Sequence, residues 1–233
     1  MARHSRFRQS DYLTAAQVFH WATRNHYVVW FIGEIRRHKR TEAMLPYLVA
    51  RGKLRVCTHR KEYAYSAPRK SRKHDERLCY PFIDHGLACT EGLVRFWRSN
   101  MEAEIISEKF FNGCGIVPEW GLRYPNGKLL LYEHSTRNNF EHAGVVSGKI
   151  SRYQRYLAGI EKKFDVDGSI ILFVLDIERE RVKRYVEKIV PSPTVFFTDY
   201  RTFLTVPIGQ QLNSPIYIWG GDSEVYPLSQ HHD

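Results

Sequence analysis

The sequence predicts a small basic helical module followed by an α/β unit with a mixed central sheet, α+β overall. Three observations carry that prediction. Residues 1–80 hold 18 Lys/Arg against 6 Asp/Glu, a net of +12, whereas 81–233 hold 17 against 19, a net of −2. The first third shows helical periodicity that ends in alternating basic and apolar residues. The remainder reads helix, three strands, helix, strand, with a continuous apolar run at 169–175 suited to a strand buried on both faces. The boundary is placed at residue 75, giving units 1–75 and 76–233.

In the first unit, Thr14 is placed to cap a helix over 15–21, with Val18, Trp21 and Ala22 on one face. A second, heavily apolar helix spans 27–35. Thr41 is expected to cap a third, with Met44, Leu45, Leu48 and Val49 at helical spacing and Gly52 as its stop. Pro46 falls inside it and predicts a kink or a shifted start. Residues 53–58 then alternate, and 61–65 supply a partner strand. Three helices and a basic hairpin is the layout of a winged helix-turn-helix, whose third helix enters the major groove of double-stranded DNA while the hairpin follows the phosphates. Arg36, Arg37, Lys39, Arg40, Arg51, Lys53, Arg55, Arg60 and Lys61 fall around that contact surface. The bland alternative is a small helical domain that binds protein. Residues 68–73, Pro-Arg-Lys-Ser-Arg-Lys, read as a basic linker.

In the second unit, 83–97 reads as a helix with Leu87, Val94 and Trp97 inward, and 104–108 as a strand. Two strands follow around a Pro-Asn-Gly turn at 125–127, then a helix at 145–158, the apolar strand, an amphipathic helix at 178–189 and a strand at 194–198. Among the four cysteines, Cys57, Cys79, Cys89 and Cys114, none forms a C-x-x-C pair, which argues against a disulfide scaffold and against a zinc ribbon. His85 and Cys89 share a helix face and read as buried structural residues. No apolar run approaches the roughly 20 residues of a membrane span, and the basic N-terminus precedes no apolar stretch. The expectation is a cytoplasmic protein without a membrane partner.

The chemistry concentrates in the hairpin of the second unit. Glu119 follows Gly115-Ile116-Val117-Pro118, and Glu133 closes Leu129-Leu130-Leu131-Tyr132, so the paired strands bring two carboxylates to neighbouring strand ends at the sheet edge. Two such oxygens are hard ligands for Mg²⁺ or Mn²⁺, and a nearby lysine can stabilise charge on a scissile phosphate. Lys149, on the following helix, has Arg152 and Tyr153 three and four residues later. In the general PD-(D/E)XK nuclease pattern a lysine stands two residues after the strand acid. Here that position, on the same face as Glu133, is Ser135. Tyr153 and Tyr156 read as packing residues.

The stretch Ile116-Val117-Pro118-Glu119…Leu131-Tyr132-Glu133…Lys149-Ile150-Ser151-Arg152-Tyr153 resembles the replication-relaxation family of bacterial mobile elements. The resemblance implies an N-terminal winged helix joined to a PD-(D/E)XK-like fold. It places Glu119 at the proline-preceded acid, Glu133 at the strand glutamate, Lys149 and Tyr153 at the helical lysine and tyrosine, and Trp219 at a terminal tryptophan. It also implies DNA handling in plasmid, phage or integrative-element replication or transfer, alongside other proteins of the element. Two functions follow as expectations: a metal-dependent DNA endonuclease, or a DNA-binding accessory or regulatory protein whose nuclease-like site no longer cuts.

Overall fold

The basic module and the α/β module both fold around their own cores. The computed structural model describes residues 8–19, 21–32, 38–60, 62–67, 80–136, 144–189, 192, 194–220 and 224–231. The chain divides into two compact units between Val94 and Arg95, inside a helix. The sequence-based boundary at 75 and the basic stretch 68–73 lie outside the described residues.

The first unit runs α1 (Gln9–Val18), β1 (Ala22–Thr23), α2 (Arg24–Ile32), α3 (Lys39–Ala50), β2 (Arg55–His59) and β3 (Glu62–Ser66). The strands form an antiparallel sheet of order β1-β3-β2, with Ala22 opposite Tyr65 and Cys57 opposite Ala64. Tyr12, Ala15, Ala16, Phe19, Tyr27, Val28, Leu45, Leu48 and Leu54 fill the core. Phe19 meets Tyr27 edge-on at 5.2 Å.

Two expected caps are corrected. Helix α1 starts ahead of Thr14, because the Asp11 carboxylate accepts the Arg8 N–H at 2.5 Å and opens the helix there. In α3 the cap is His38, whose Nδ1 accepts the Thr41 N–H at 3.2 Å. Thr41 lies inside the helix, and its buried hydroxyl meets the Tyr12 hydroxyl at 2.9 Å. Helix α3 is continuous through Pro46, and its start is shifted two residues before Thr41. It stops at Gly52 (φ +66°), whose N–H returns to the Val49 carbonyl at 2.9 Å.

Helix α4 (Tyr80–Ser99) contains the boundary between the units. In the first unit it buries Ile83, Ala88, Cys89, Leu93 and Val94, while Leu87 is half-buried rather than inward. Trp97, in the second unit, is also half-buried, and Phe96 takes the core position there. Cys89 Sγ lies 3.6 Å from His85 Nε2 within one turn of α4.

The second unit continues with β4 (Glu104–Ser107), a 3₁₀ turn at 108–111, β5 (Trp120–Arg123), β6 (Lys128–Ser135), α5 (Val145–Phe164), β7 (Gly168–Leu175), α6 (Arg179–Val186), β8 (Val195–Asp199), α7 (Tyr200–Thr205), β9 (Tyr217–Trp219) and β10 (Val225–Tyr226). Its seven strands are ordered β10-β9-β8-β7-β6-β5-β4, with β6, β7 and β8 parallel and the outer pairs antiparallel. The mixed α/β sheet is therefore as expected. Because β6 joins β7 through α5, one sheet face is roofed by that helix. Leu129, Leu131, Phe173 and Phe197 pack there with Ile150, Tyr153 and Ile160. The opposite face is aromatic: Trp120 stacks on Tyr132 at 4.3 Å, and Phe96 stacks on Phe203 at 5.8 Å. Among the described residues no helix is long and apolar enough to cross a membrane.

Candidate functional site

The β5–β6 hairpin turns through 124–127. Gly127 (φ +78°) supplies the left-handed step, and its N–H returns to Tyr124 O at 3.1 Å. This pairing sets Trp120 opposite Tyr132. Glu119 stands just before β5, not within a strand, yet its N–H still bonds Tyr132 O at 3.1 Å. The acid-bearing residue is thus held one step beyond the last ladder pair, alongside Glu133. The preceding 115–118 segment is not a strand. Pro118 has no N–H to give a ladder, and Gly115 has φ +79°.

Glu133 was expected at the sheet edge, and here the structure differs. Strand β6 lies between β5 and β7, and every residue from 129 to 135 is buried. Glu133 itself is 1% exposed. A carboxylate in such a place needs partners on both oxygens. Lys149 Nζ donates to Oε2, and the Tyr153 hydroxyl donates to Oε1 at 2.9 Å. Lys149 and Tyr153 are four apart on α5, so both reach down to the strand from one helix face.

Burial wins over pairing in setting the proton affinity. Desolvation pushes the Glu133 carboxyl up to about 7, the Lys149 ammonium opposes it, and the nearby Glu119 charge adds to the rise. Tyr153 is pushed well above its ordinary range, first by burial and then by the two acids, so its hydroxyl remains a donor. The structure brings together Glu119, Glu133, Lys149 and Tyr153. Ser135, two residues after Glu133 on β6, is also buried. Trp219 lies on β9, three strands from β6, and packs edge-on against Tyr226 at 6.1 Å.

Tyr153 was read from periodicity as packing, and its hydroxyl bond to Glu133 is the feature that reading missed. An aromatic at core spacing gives no sign of what its hydroxyl meets; the resemblance alone marked the position.

In the first unit, Lys39, Arg40, Arg51 and Lys53 are exposed on α3 and just after it. Tyr47, 45% exposed on the same helix, carries the Arg51 guanidinium 5.5 Å from its ring centre. Arg55 is half-buried over the Trp21 ring and donates to Ser66 Oγ at 3.2 Å. Arg60, at the β2–β3 turn, pairs with Asp84 at 2.9 Å. Arg36, Arg37 and Lys61 lie outside the described residues. A cavity of about 540 Å³ in this unit lies between the start of α2, α3 and β3, and its wall includes the Arg24–Glu42 ion pair at 3.1 Å.

No protein-family model, curated protein or solved structure matches the chain.

Proposed function

We propose that the chain is a DNA-binding protein whose second unit is a metal-dependent endodeoxyribonuclease. The observation that carries this reading is the setting of Glu133: a buried carboxylate on a central strand, beside Glu119, contacted by a helical lysine and tyrosine. The order α4, β4, β5, β6, α5, β7 supports a PD-(D/E)XK-like core, with the cation moved from the strand to α5. Glu119 and Glu133 offer the hard oxygens that Mg²⁺ or Mn²⁺ requires, one just ahead of β5 and the other within β6. When bound, the ion would neutralise the phosphodiester and lower the pKa of a coordinated water. Tyr153 fixes the Glu133 carboxylate in one orientation, and Lys149 holds a positive charge beside it.

The first unit is read as a winged helix that delivers this site to duplex DNA. Support comes from the element order α-β-α-α-β-β, the β1-β3-β2 sheet, and the exposed Lys39, Arg40, Arg51 and Lys53. The resemblance to the replication-relaxation family supplies the setting, replication or transfer of a mobile element.

A second reading is favoured by one observation. Both Glu133 oxygens already have internal donors, and Ser135 replaces the strand lysine. That arrangement suits an accessory DNA-binding protein that has ceased to cut. Nicking of supercoiled and linear DNA with Mg²⁺, Mn²⁺ or EDTA, alongside calorimetric Mn²⁺ titration, separates the two. The nuclease reading expects Glu119→Ala and Glu133→Ala each to abolish cutting and Mn²⁺ uptake, and Lys149→Ala to slow cutting while retaining the ion. Mn²⁺ uptake and cutting both absent in the wild type would leave the accessory reading.

A further inference from the structure

Beyond Lys149, which pairs with Glu133, helix α5 leads away with a surface that the carboxylate site does not use. Lys149, Arg152, Tyr156 and Lys163 follow one another at intervals of three, four and seven residues, which places them along one face. At about 1.5 Å per residue the row is about 21 Å long. Gly159 falls between Tyr156 and Lys163, and a Cβ built there would have nothing within 4 Å, so the row is unobstructed. Residues 145–164 hold five Lys/Arg against one acid, within a region, 81–233, that carries −2 as a whole. Positive charge is therefore concentrated on the helix that roofs the carboxylates.

The row also carries aromatic surface. Tyr156, read as a packing residue, packs with one part of its ring and is 36% exposed. It lies directly on Gly115, where a Cβ would stand 2.8 Å from three ring carbons. That contact fixes the ring and props the segment leading to Glu119. At the far end, Lys163 Nζ donates to the Phe110 and Asn112 carbonyls at 2.5 and 3.3 Å. Phe110 beside it is 53% exposed, with Lys109 Nζ 4.9 Å from its ring centre. Cations alternating with fixed, accessible rings form a stacking platform for unpaired bases with phosphates alongside. A duplex, whose bases are stacked inside, has no use for the rings.

We propose that the face of α5 from Lys149 to Lys163, with Phe110, carries a single DNA strand between the carboxylate pair and the helix end. The choice of DNA rests on the nuclease reading above. At about 3.4 Å per phosphate along a stacked strand, the row spans about six nucleotides. The natural substrate of the site would then contain a single-stranded arm or gap rather than uninterrupted duplex.

The test uses the full chain in EDTA, so that binding is read without cleavage. Anisotropy is measured with a fluorescent oligothymidylate of roughly twice that length, an oligouridylate, an acidic peptide and a duplex. Tyr156→Ala should weaken oligothymidylate binding roughly tenfold, Tyr156→Phe should restore it, and duplex affinity should not change. Arg152→Gln with Lys163→Gln should lower the salt slope by about 1.4, two contacts at about 0.7 each for a single strand. Photocrosslinking with 5-iododeoxyuridine should mark Tyr156 or Phe110. Crosslinks confined to residues 21–66, or equal loss with Tyr156→Ala and Tyr156→Phe, would overturn the proposal. Tighter binding of oligouridylate or of the acidic peptide would overturn the DNA assignment. Absence of metal-dependent cutting with Tyr156-dependent strand binding intact would sink the nuclease reading and leave the strand track standing. Metal-dependent cutting of single strands that is indifferent to Tyr156→Ala would do the reverse.

Discussion

Replacing Glu133 by glutamine should make the protein more stable at pH 8 and leave its stability at pH 4 nearly unchanged. Burial raises this carboxyl from 4.5 to about 7 in the folded chain. Between those values the native state binds a proton that the unfolded state has released, so stability falls as pH rises through that window. Above it both states are ionised, and the full penalty is present. A rise of that size, at about 1.4 kcal/mol per unit, amounts to about 3 kcal/mol. Glutamine has nearly the same shape, and its carbonyl can accept the Lys149 ammonium while carrying no charge to desolvate. Lys149, with 28% of its side chain exposed, keeps access to water.

The measurement is urea unfolding of wild type and Glu133→Gln at pH 4, 6 and 8 in EDTA, with pulsed hydrogen exchange of the 128–135 amides to report the second unit. Other titrating groups cancel in the difference. The variant's advantage should grow by about 3 kcal/mol from pH 4 to pH 8. A constant difference would refute the buried-charge account. A difference that grows in favour of the wild type would mean that the Lys149 pair outweighs burial, with the carboxyl depressed rather than raised.

Three further outcomes follow from the same geometry. Tyr153→Phe removes the donor to Oε1 and should cost about 1 kcal/mol while raising the Glu133 carboxyl further, read as an upward shift in the pH midpoint of the wild-type stability profile. On the nuclease reading, Mn²⁺ affinity measured by calorimetry should fall about tenfold per unit as pH drops below about 7, because an ion and a proton would compete for Glu133. Replacing Lys39, Arg40, Arg51 and Lys53 together by alanine should reduce the salt slope of duplex binding by about 3.6, at about 0.9 per phosphate contact, in a chain whose circular dichroism is unchanged. An unchanged slope would move the duplex surface elsewhere.

Long patterns were legible in the sequence, and short pairings were not. The run at 169–175 is β7, and the 145–158 periodicity is the body of α5, because each buries many side chains with one period. Strands β1 and β9 have two or three residues each and depend on distant partners such as Tyr65 and Phe196. The hairpin was visible from its Pro-Asn-Gly turn, and so were the two acids beside it. Their environment was not. Glu133 reads as standing at the sheet edge, yet β6 lies between β5 and β7, and Glu133, His134 and Ser135 are all buried. Likewise Arg55 and Arg60 read as phosphate ligands, although a ring and a hydroxyl hold the first and Asp84 pairs with the second.

On the PD-(D/E)XK-like reading, the burial of Glu133 bears on why a lysine on a helix can stand in for one on the strand. A side chain at position 135 points to the same sheet face as Glu133. That position is a buried serine, and the positive charge beside Glu133 comes from the roofing helix. Lys149 supplies it while remaining partly solvated, which lowers the desolvation cost that a fully buried ammonium would carry. Its partner carboxyl is nonetheless pushed up to about 7, chiefly by burial. On the nuclease reading, the ammonium and the divalent ion compete for one carboxylate, so the metal-free protein is the better paired and the loaded protein the better armed. On that reading, a buried charge that costs the fold stability is accounted for by the ion it would bind.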